Sequence, residues 1–160
     1  MACLRHRSGW ITGKETTTMR ETGIVNRDIC DILSTLGHTD EMIVCDAGFA
    51  IPLGVRTVDI SLAENTPTVP EVLAEIRKHL SVEKLVLSVE TKKVVPTRFK
   101  ELVKAFGKGM PVETISQNDL RARAKTVKAV IRTGDFTAYS NILIVSGGGG
   151  RWYLEKKSGA

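Results

Sequence analysis

The apolar positions change period several times along the chain. Ile29, Ile32, Leu33 and Leu36 recur at helical spacing, with Asn26 placed as N-cap and Asp28 in the first turn, and Gly37 stops that helix. Met42–Cys45 is an unbroken apolar run and predicts a buried strand, followed by a loop over Gly48–Pro52. Thr57–Leu62 predicts a second short strand. Pro67 and Pro70 bracket the start of a helix through Val72, Leu73, Ile76 and Leu80, with His79 in its last turn facing the helix dipole. Lys84–Val89 reads as a buried strand, and Pro96 opens a helix through Phe99, Leu102, Val103 and Phe106 that Gly107 and Gly109 end. Val112–Ile115 predicts a strand, Asp119–Lys125 a short polar helix, and Ala129–Arg132 and Asn141–Val145 two further strands. Strands alternating with helices predict an α/β fold: a single layered domain with a largely parallel sheet flanked by helices.

The two ends fall outside this pattern. Residues 1–18 carry neither period, and Met19 offers a second start, so 1–18 is expected to be a disordered extension, 19–147 the folded domain and 148–160 a Gly-rich linker and tail. At 160 residues, with 42% hydrophobic and 26% charged positions, the chain suits one domain with a proper core. Its net charge of +5 is concentrated outside that domain: residues 1–18 and 151–160 each contribute +2, leaving +1 for the rest. A basic patch for nucleic acid is therefore not expected, and aromatics at 5% offer no stacking platform. Cys3, Cys30 and Cys45 are odd in number and lack CxxC spacing, which argues against a disulfide framework and for a reducing cytoplasm. No apolar run approaches the ~20 residues of a membrane span, so no membrane insertion is expected.

The chemistry concentrates in residues 36–48, LGHTDEMIVCDAG, where one histidine and two carboxylates stand at the ends of the first predicted strand. Strand-end loops are where α/β proteins usually carry their sites. From spacing alone, His38 reads equally as a turn cap or as an acid/base group, since a lone histidine moves protons near neutrality without a metal. Asp46 would accept hydrogen bonds from hydroxyls, Asp40 would cap or orient His38, and Tyr139 and Asn141 add polar groups just before the last strand, where a tyrosine is commonly an edge aromatic. No metal site is expected, because His6 and His79 lie elsewhere. Neither G-x-S-x-G, G-x-G-x-x-G nor a P-loop occurs, and Gly147–Gly150 lacks a following lysine at phosphate-loop spacing. No cofactor is expected, and a neutral hydroxylated molecule remains as the substrate class.

A resemblance sharpens this. The stretch from Met19 through Asn26, then GHTD at 37–40, VCDAG at 44–48 and Ile51-Pro52, is similar to the pyranase branch of the ribose pyranase/fucose mutarotase family. The similarity continues through RTVDISL from Arg56 and Thr66-Pro67, and resumes at KAVIRTGD from Lys128 and YSNIL from Tyr139. It covers roughly residues 19–147. It implies a cofactor-free isomerase that interconverts β-D-ribopyranose and β-D-ribofuranose, supplying the furanose that ribose kinase takes. It also implies ring-shaped homo-oligomers, commonly decamers of two stacked pentamers, with sites built between neighbouring subunits. Carried onto this chain, His38 becomes the proton donor, Asp46 a sugar ligand, and Tyr139, Ser140 and Asn141 a second sugar-binding segment.

Two departures from the family pattern stand out. Pyranase-branch members usually place a histidine early in the helix after the fourth strand, where this chain has Gln117; Arg121 follows one helical turn later. Glutamine donates and accepts hydrogen bonds but carries no charge. The usual Gly-Val-x-Phe ending is replaced by Gly147–Gly150 and the tail. The alternative readings are a fucose-type mutarotase, against which VCDAGFAIP stands, and a non-catalytic sugar-binding or regulatory subunit of ribose transport, which Gln117 keeps open.

Overall fold

The computed structural model describes residues 22–150. The expected extension over 1–18, the Met19 start and the tail from residue 151 lie outside the described residues.

Asn26 caps the first helix, α1 (Arg27–Thr35), by accepting a hydrogen bond from the Ile29 N–H at 3.0 Å. Ile29 and Ile32 are its buried stripe, and Leu36 leaves it in extended conformation, one residue before Gly37. The turn at 37–40 leads into β1 (Glu41–Cys45), whose last four residues are buried. β2 (Thr57–Asp59) is half the expected length, because beyond Asp59 the chain leaves the sheet edge and Leu62 stands in solvent. α2 (Val69–Ile76) starts at Thr68, whose N–H donates to Glu71 at 2.7 Å, and buries Val69, Val72, Leu73 and Ile76. β3 (Val82–Ser88) follows.

Here the sequence expectation was incomplete. Val89 does not continue the strand; it begins α3 (Val89–Val94), capped by Ser88 Oγ on the Thr91 N–H at 3.0 Å. α4 (Pro96–Lys104) then packs Leu102 inward, β4 (Val112–Ile115) has the expected bounds, and α5 (Gln117–Arg123) begins two residues earlier than expected, behind Ser116 as cap. β5 (Ala129–Arg132) and β6 (Ile142–Ser146) complete the regular structure among the described residues.

The six strands form one mixed sheet in the order β2-β5-β1-β6-β3-β4. Five run the same way, and β6 alone is antiparallel, to both β1 and β3. The sheet is therefore largely parallel with one reversed strand near its middle. Alternation along the strands sends Met42, Val44, Leu85, Leu87, Ile131 and Ile144 to one face, under α1, α2 and α4. Ile43, Cys45, Val86, Val130 and Leu143 point to the other face, against Leu120 of α5, Ala124 at its C-terminal cap and Phe49 of the loop after β1. No helix among the described residues is long and apolar enough to cross a membrane.

Candidate active site at the strand ends

β1, β5, β3 and β4 all end on the same side of the sheet, and β6, running the other way, begins there. That arrangement gathers polar residues from the ends of five elements around one cavity of about 650 Å³, lined by Asp46, Gln117, Arg121, Arg132, Asp135, Tyr139 and Asn141 together with Phe49 and Phe136.

Asp46 directly follows β1 and is buried. Its Oδ1 accepts from the Gly48 N–H at 3.0 Å and its Oδ2 from Asn141 Nδ2 at 3.1 Å. Asn141 in turn accepts the Asp46 N–H on Oδ1 at 3.0 Å. Burial raises the Asp46 carboxyl above its ordinary value and the charge of Asp135 adds to this, while the bonds from Gly48 and Asn141 oppose it. Neighbouring Cys45 is more deeply enclosed: burial and the charge of Asp46 push its thiol far up, so it is an inert hydrophobe and no nucleophile.

Tyr139 is held in the left-handed region at φ 60°, an uncommon conformation for a bulky residue that needs support from its surroundings. The support comes partly from α3: buried Thr91 donates its hydroxyl to the Tyr139 carbonyl at 2.8 Å, and Ser88 Oγ lies 2.9 Å from the same hydroxyl. Ser140 faces inward instead, donating to Asp135 Oδ2 at 3.2 Å, and does not line the cavity.

Sequence patterning gives Asp135 and Arg132 no role, although both belong to the KAVIRTGD segment, at a strand end. Asp135 is fully buried and accepts from the Val69 and Thr137 N–H groups at 3.0 and 2.8 Å and from Arg98 Nη1 at 3.0 Å. Arg132 donates to the Ala47 carbonyl at 2.9 and 3.2 Å and to Asp59 at 2.7 Å, fixing the loop that carries Asp46. Gly134, beside them, has no room for a side chain: a Cβ there would stand 2.3 Å from the Ala63 carbonyl oxygen.

Gln117 and Arg121 reach the cavity from α5. The Gln117 N–H donates to Glu90 at 2.9 Å, but its side-chain oxygen Oε1 is buried without a hydrogen-bond partner among the described residues. An unpartnered acceptor at a cavity wall is available to a ligand hydroxyl.

His38 is elsewhere. It stands before β1, whereas Asp46 follows it, so the five residues of β1 separate the two by on the order of 15 Å at ~3.3 Å per residue. Its Nε2 lies 2.7 Å from Glu83 Oε2. Asp40 closes the turn beside it by accepting the Gly37 N–H at 2.8 Å. Among the described residues no three His, Cys, Asp or Glu side chains form a metal-binding group.

Known proteins match this arrangement. Residues 19–148 fit the model of the RbsD / FucU transport protein family. The D-ribose pyranase of Streptococcus uberis is 40% identical over 129 residues, which is 81% of this chain and 98% of that protein. That of Halalkalibacterium halodurans is 38% identical over the same shares. The structure of Bacillus subtilis RbsD complexed with D-ribose superposes with a TM-score of 0.76 at 35% identity, covering 81% of this chain and 98% of that one. A fucose mutarotase from Streptococcus pneumoniae, solved with L-fucose, shares the fold at 17% identity and a TM-score of 0.61, over 77% of this chain and 93% of that one. The strand-end cavity thus sits on a fold with a known lineage, and the chain belongs to the RbsD/FucU family.

Proposed function

We propose that this chain is a D-ribose pyranase, acting in the cytoplasm to interconvert β-D-ribopyranose and β-D-ribofuranose. The observation that carries the reading is the cavity in which Asp46, Asn141, Tyr139 and the unpartnered Gln117 Oε1 converge, on a chain 35–40% identical to D-ribose pyranases and to an RbsD that binds D-ribose. These are hydrogen-bonding groups for a small polyol, with apolar Phe49 and Phe136 beside them.

Chemically, the anomeric hydroxyl gives up its proton, the C1–O5 bond breaks, and the ring oxygen gains a proton, leaving the open aldehyde. After rotation about the carbon chain, the 4-hydroxyl attacks C1, loses its proton, and the carbonyl oxygen regains one. No atom is gained or lost overall. In this reading His38 delivers the proton to the departing ring oxygen, an effect typically worth ~10²–10⁴-fold. Asp46 and Asn141 hold hydroxyls so that the open chain recloses before leaving.

In this reading the histidine that serves the cavity comes from a neighbouring copy in a homo-oligomer, for which a decamer of two pentameric rings is the proposed form; the separation of His38 from Asp46 within one subunit supports it. Support for packing beside the cavity comes from Phe136, a large apolar residue that lines it while standing largely in solvent. Ser140 contributes through Asp135, and Arg121 offers a charged donor at the rim.

Saturation-transfer NMR on equilibrated D-ribose tests the reading: the chain should accelerate pyranose–furanose exchange, and His38→Ala should lower the rate by at least ~10²-fold. Equal rates with and without His38 would refute catalysis and leave a sugar-binding subunit. Acceleration for L-fucose alone would move the chain to the mutarotase branch.

A further inference from the structure

His38 is oriented by a contact built at some structural cost. It stands before β1 and Glu83 lies in β3, with β6 between them, so their 2.7 Å bond crosses the end of β6. Three local features converge on that crossing. Thr39, next to His38, takes φ 67°, a left-handed conformation that a β-branched residue adopts only under constraint; its N–H donates to the Ser146 carbonyl at 2.8 Å, and the Ser146 N–H donates to the Asp40 carbonyl at 2.8 Å. Glu83 sits at a break in register, for Val82 pairs with Ser146 and Lys84 with Val145, leaving Glu83 as the extra residue of a bulge. Bulges re-aim side chains and are enriched beside active sites. Gly147 makes the third: a Cβ there would stand 3.1 Å from the Glu83 N and 3.2 Å from the Val82 carbonyl carbon, and its own N–H donates to the Ser81 carbonyl at 2.9 Å. The end of β6 therefore pins the histidine's turn on one side and the bulge on the other.

We propose that Glu83 is a positioning residue for the ring-opening reaction, holding His38 with Nε2 protonated so that Nδ1 is the nitrogen presented to the sugar. A carboxylate only accepts, so a bond of this length places a hydrogen on Nε2. Nδ1 has no hydrogen-bond partner among the described residues. In the imidazolium form Nδ1–H donates to the ring oxygen, and after donation the neutral ring keeps its Nε2–H on Glu83, so the ring neither flips nor changes tautomer between turnovers. This deepens the reading of His38 as proton donor and rests on it.

The test pairs a catalytic with a spectroscopic readout. Long-range ¹H–¹⁵N spectra of the ¹⁵N-histidine-labelled full chain, with His38 assigned by its loss in His38→Ala, should show the Nε2–H tautomer. Glu83→Ala should convert His38 to a mixture of tautomers and slow ribose exchange by roughly 10- to 100-fold, the scale of other partners that orient a histidine, with KM little changed. Glu83→Gln, which keeps an acceptor oxygen, should retain more of the tautomer and more of the rate, and also serves if the alanine variant folds poorly. A wild-type tautomer or a wild-type rate in Glu83→Ala overturns the proposal. Loss of the tautomer alongside an unchanged rate in His38→Ala would instead fault the assignment of His38 as donor, and the positioning role with it.

Discussion

Asn141 grips Asp46 from two sides: its side-chain oxygen accepts the Asp46 N–H at 3.0 Å, and its side-chain nitrogen donates to the Asp46 carboxylate at 3.1 Å. The amide orientation is thereby determined, since the flipped side chain would set donor against donor. β6 must be antiparallel to β1 for this to occur, because only then does the start of β6 lie beside the end of β1.

Asn141→Ala should accordingly damage both fold and site. It leaves a buried N–H and one carboxylate oxygen without their partner, a loss of about 1–3 kcal/mol for an unsatisfied buried group. Urea unfolding should show that decrease, and ribose exchange should fall by more than the fraction unfolded explains. Asn141→Asp should fare worse than alanine near neutrality, because it brings two carboxylates together, and should recover towards acid pH. Equal stability of the two variants across pH would contradict the pairing.

The pH dependence of Asp46 has a definite sign. Burial holds its carboxyl above the ordinary value near ~3.9. Between that value and the raised one, the folded chain binds more protons than the unfolded chain, so this group's contribution to stability falls as pH rises through the window and is flat above it. Sugar binding through the carboxylate runs the other way, improving over the same interval. Unfolding free energies of wild type relative to Asp46→Asn should decline with rising pH and then level, while ribose affinity, followed by saturation-difference NMR, climbs. A relative stability that grew with pH would show that the carboxyl is lowered instead.

Gln117 offers a subtler test. Its Oε1 has no partner among the described residues, so removing it should not destabilise the fold, and Gln117→Met should unfold at the same urea concentration as wild type or higher. If that oxygen accepts a ribose hydroxyl, the same variant should weaken ribose by about 3- to 10-fold, the effect of one neutral hydrogen bond of about 0.5–1.5 kcal/mol. The weakening should appear in KM more than in kcat, since the contact serves bound sugar and transition state alike. Gln117→His, which keeps a ring nitrogen able to accept or donate, should bind ribose at least as well as wild type.

What the sequence disclosed follows from where local signals suffice. α1 was readable because Asn26 and the Ile29–Ile32 stripe act within one helix, β5 because a short apolar run between polar turns leaves little choice, and β4 because Val112-Glu113-Thr114-Ile115 puts β-branched residues at its two ends and beside its one glutamate. α3 escaped: of Val89–Val94 only Thr91 is buried, so there is no apolar stripe, and the one cue was Ser88 three residues before a threonine. The reversal of β6 escaped because all five of its residues are buried, and a uniformly buried strand carries no mark of direction. At the site, Asp46, Tyr139 and Asn141 stood out as polar residues at strand ends. Asp135 and Arg132 gained meaning only from partners 37 and 73 residues away in Arg98 and Asp59.

Arg98 and Asp135 carry the strongest stability prediction. Arg98 is 15% exposed and the Asp135 side chain 0%, and the guanidinium donates to Asp135 at 3.0 Å and to Thr137 Oγ1 at 2.8 Å. Arg98→Ala would strand a buried carboxylate, which retains only two backbone N–H groups and the Ser140 hydroxyl, and such losses cost about 3–5 kcal/mol. Arg98→Lys should recover only part of this, because an ammonium cannot span Asp135 and Thr137 as the planar fork does. Asp135→Asn combined with Arg98→Met removes both charges, and the pair should cost less than the sum of the single changes, measured as a double-mutant cycle in urea. Since Asp135, Phe136, Thr137 and Tyr139 share one loop at the cavity wall, ribose exchange should fall in Arg98→Ala even at temperatures where the variant remains folded. Additive costs across the cycle would mean that the ion pair holds neither the fold nor the loop.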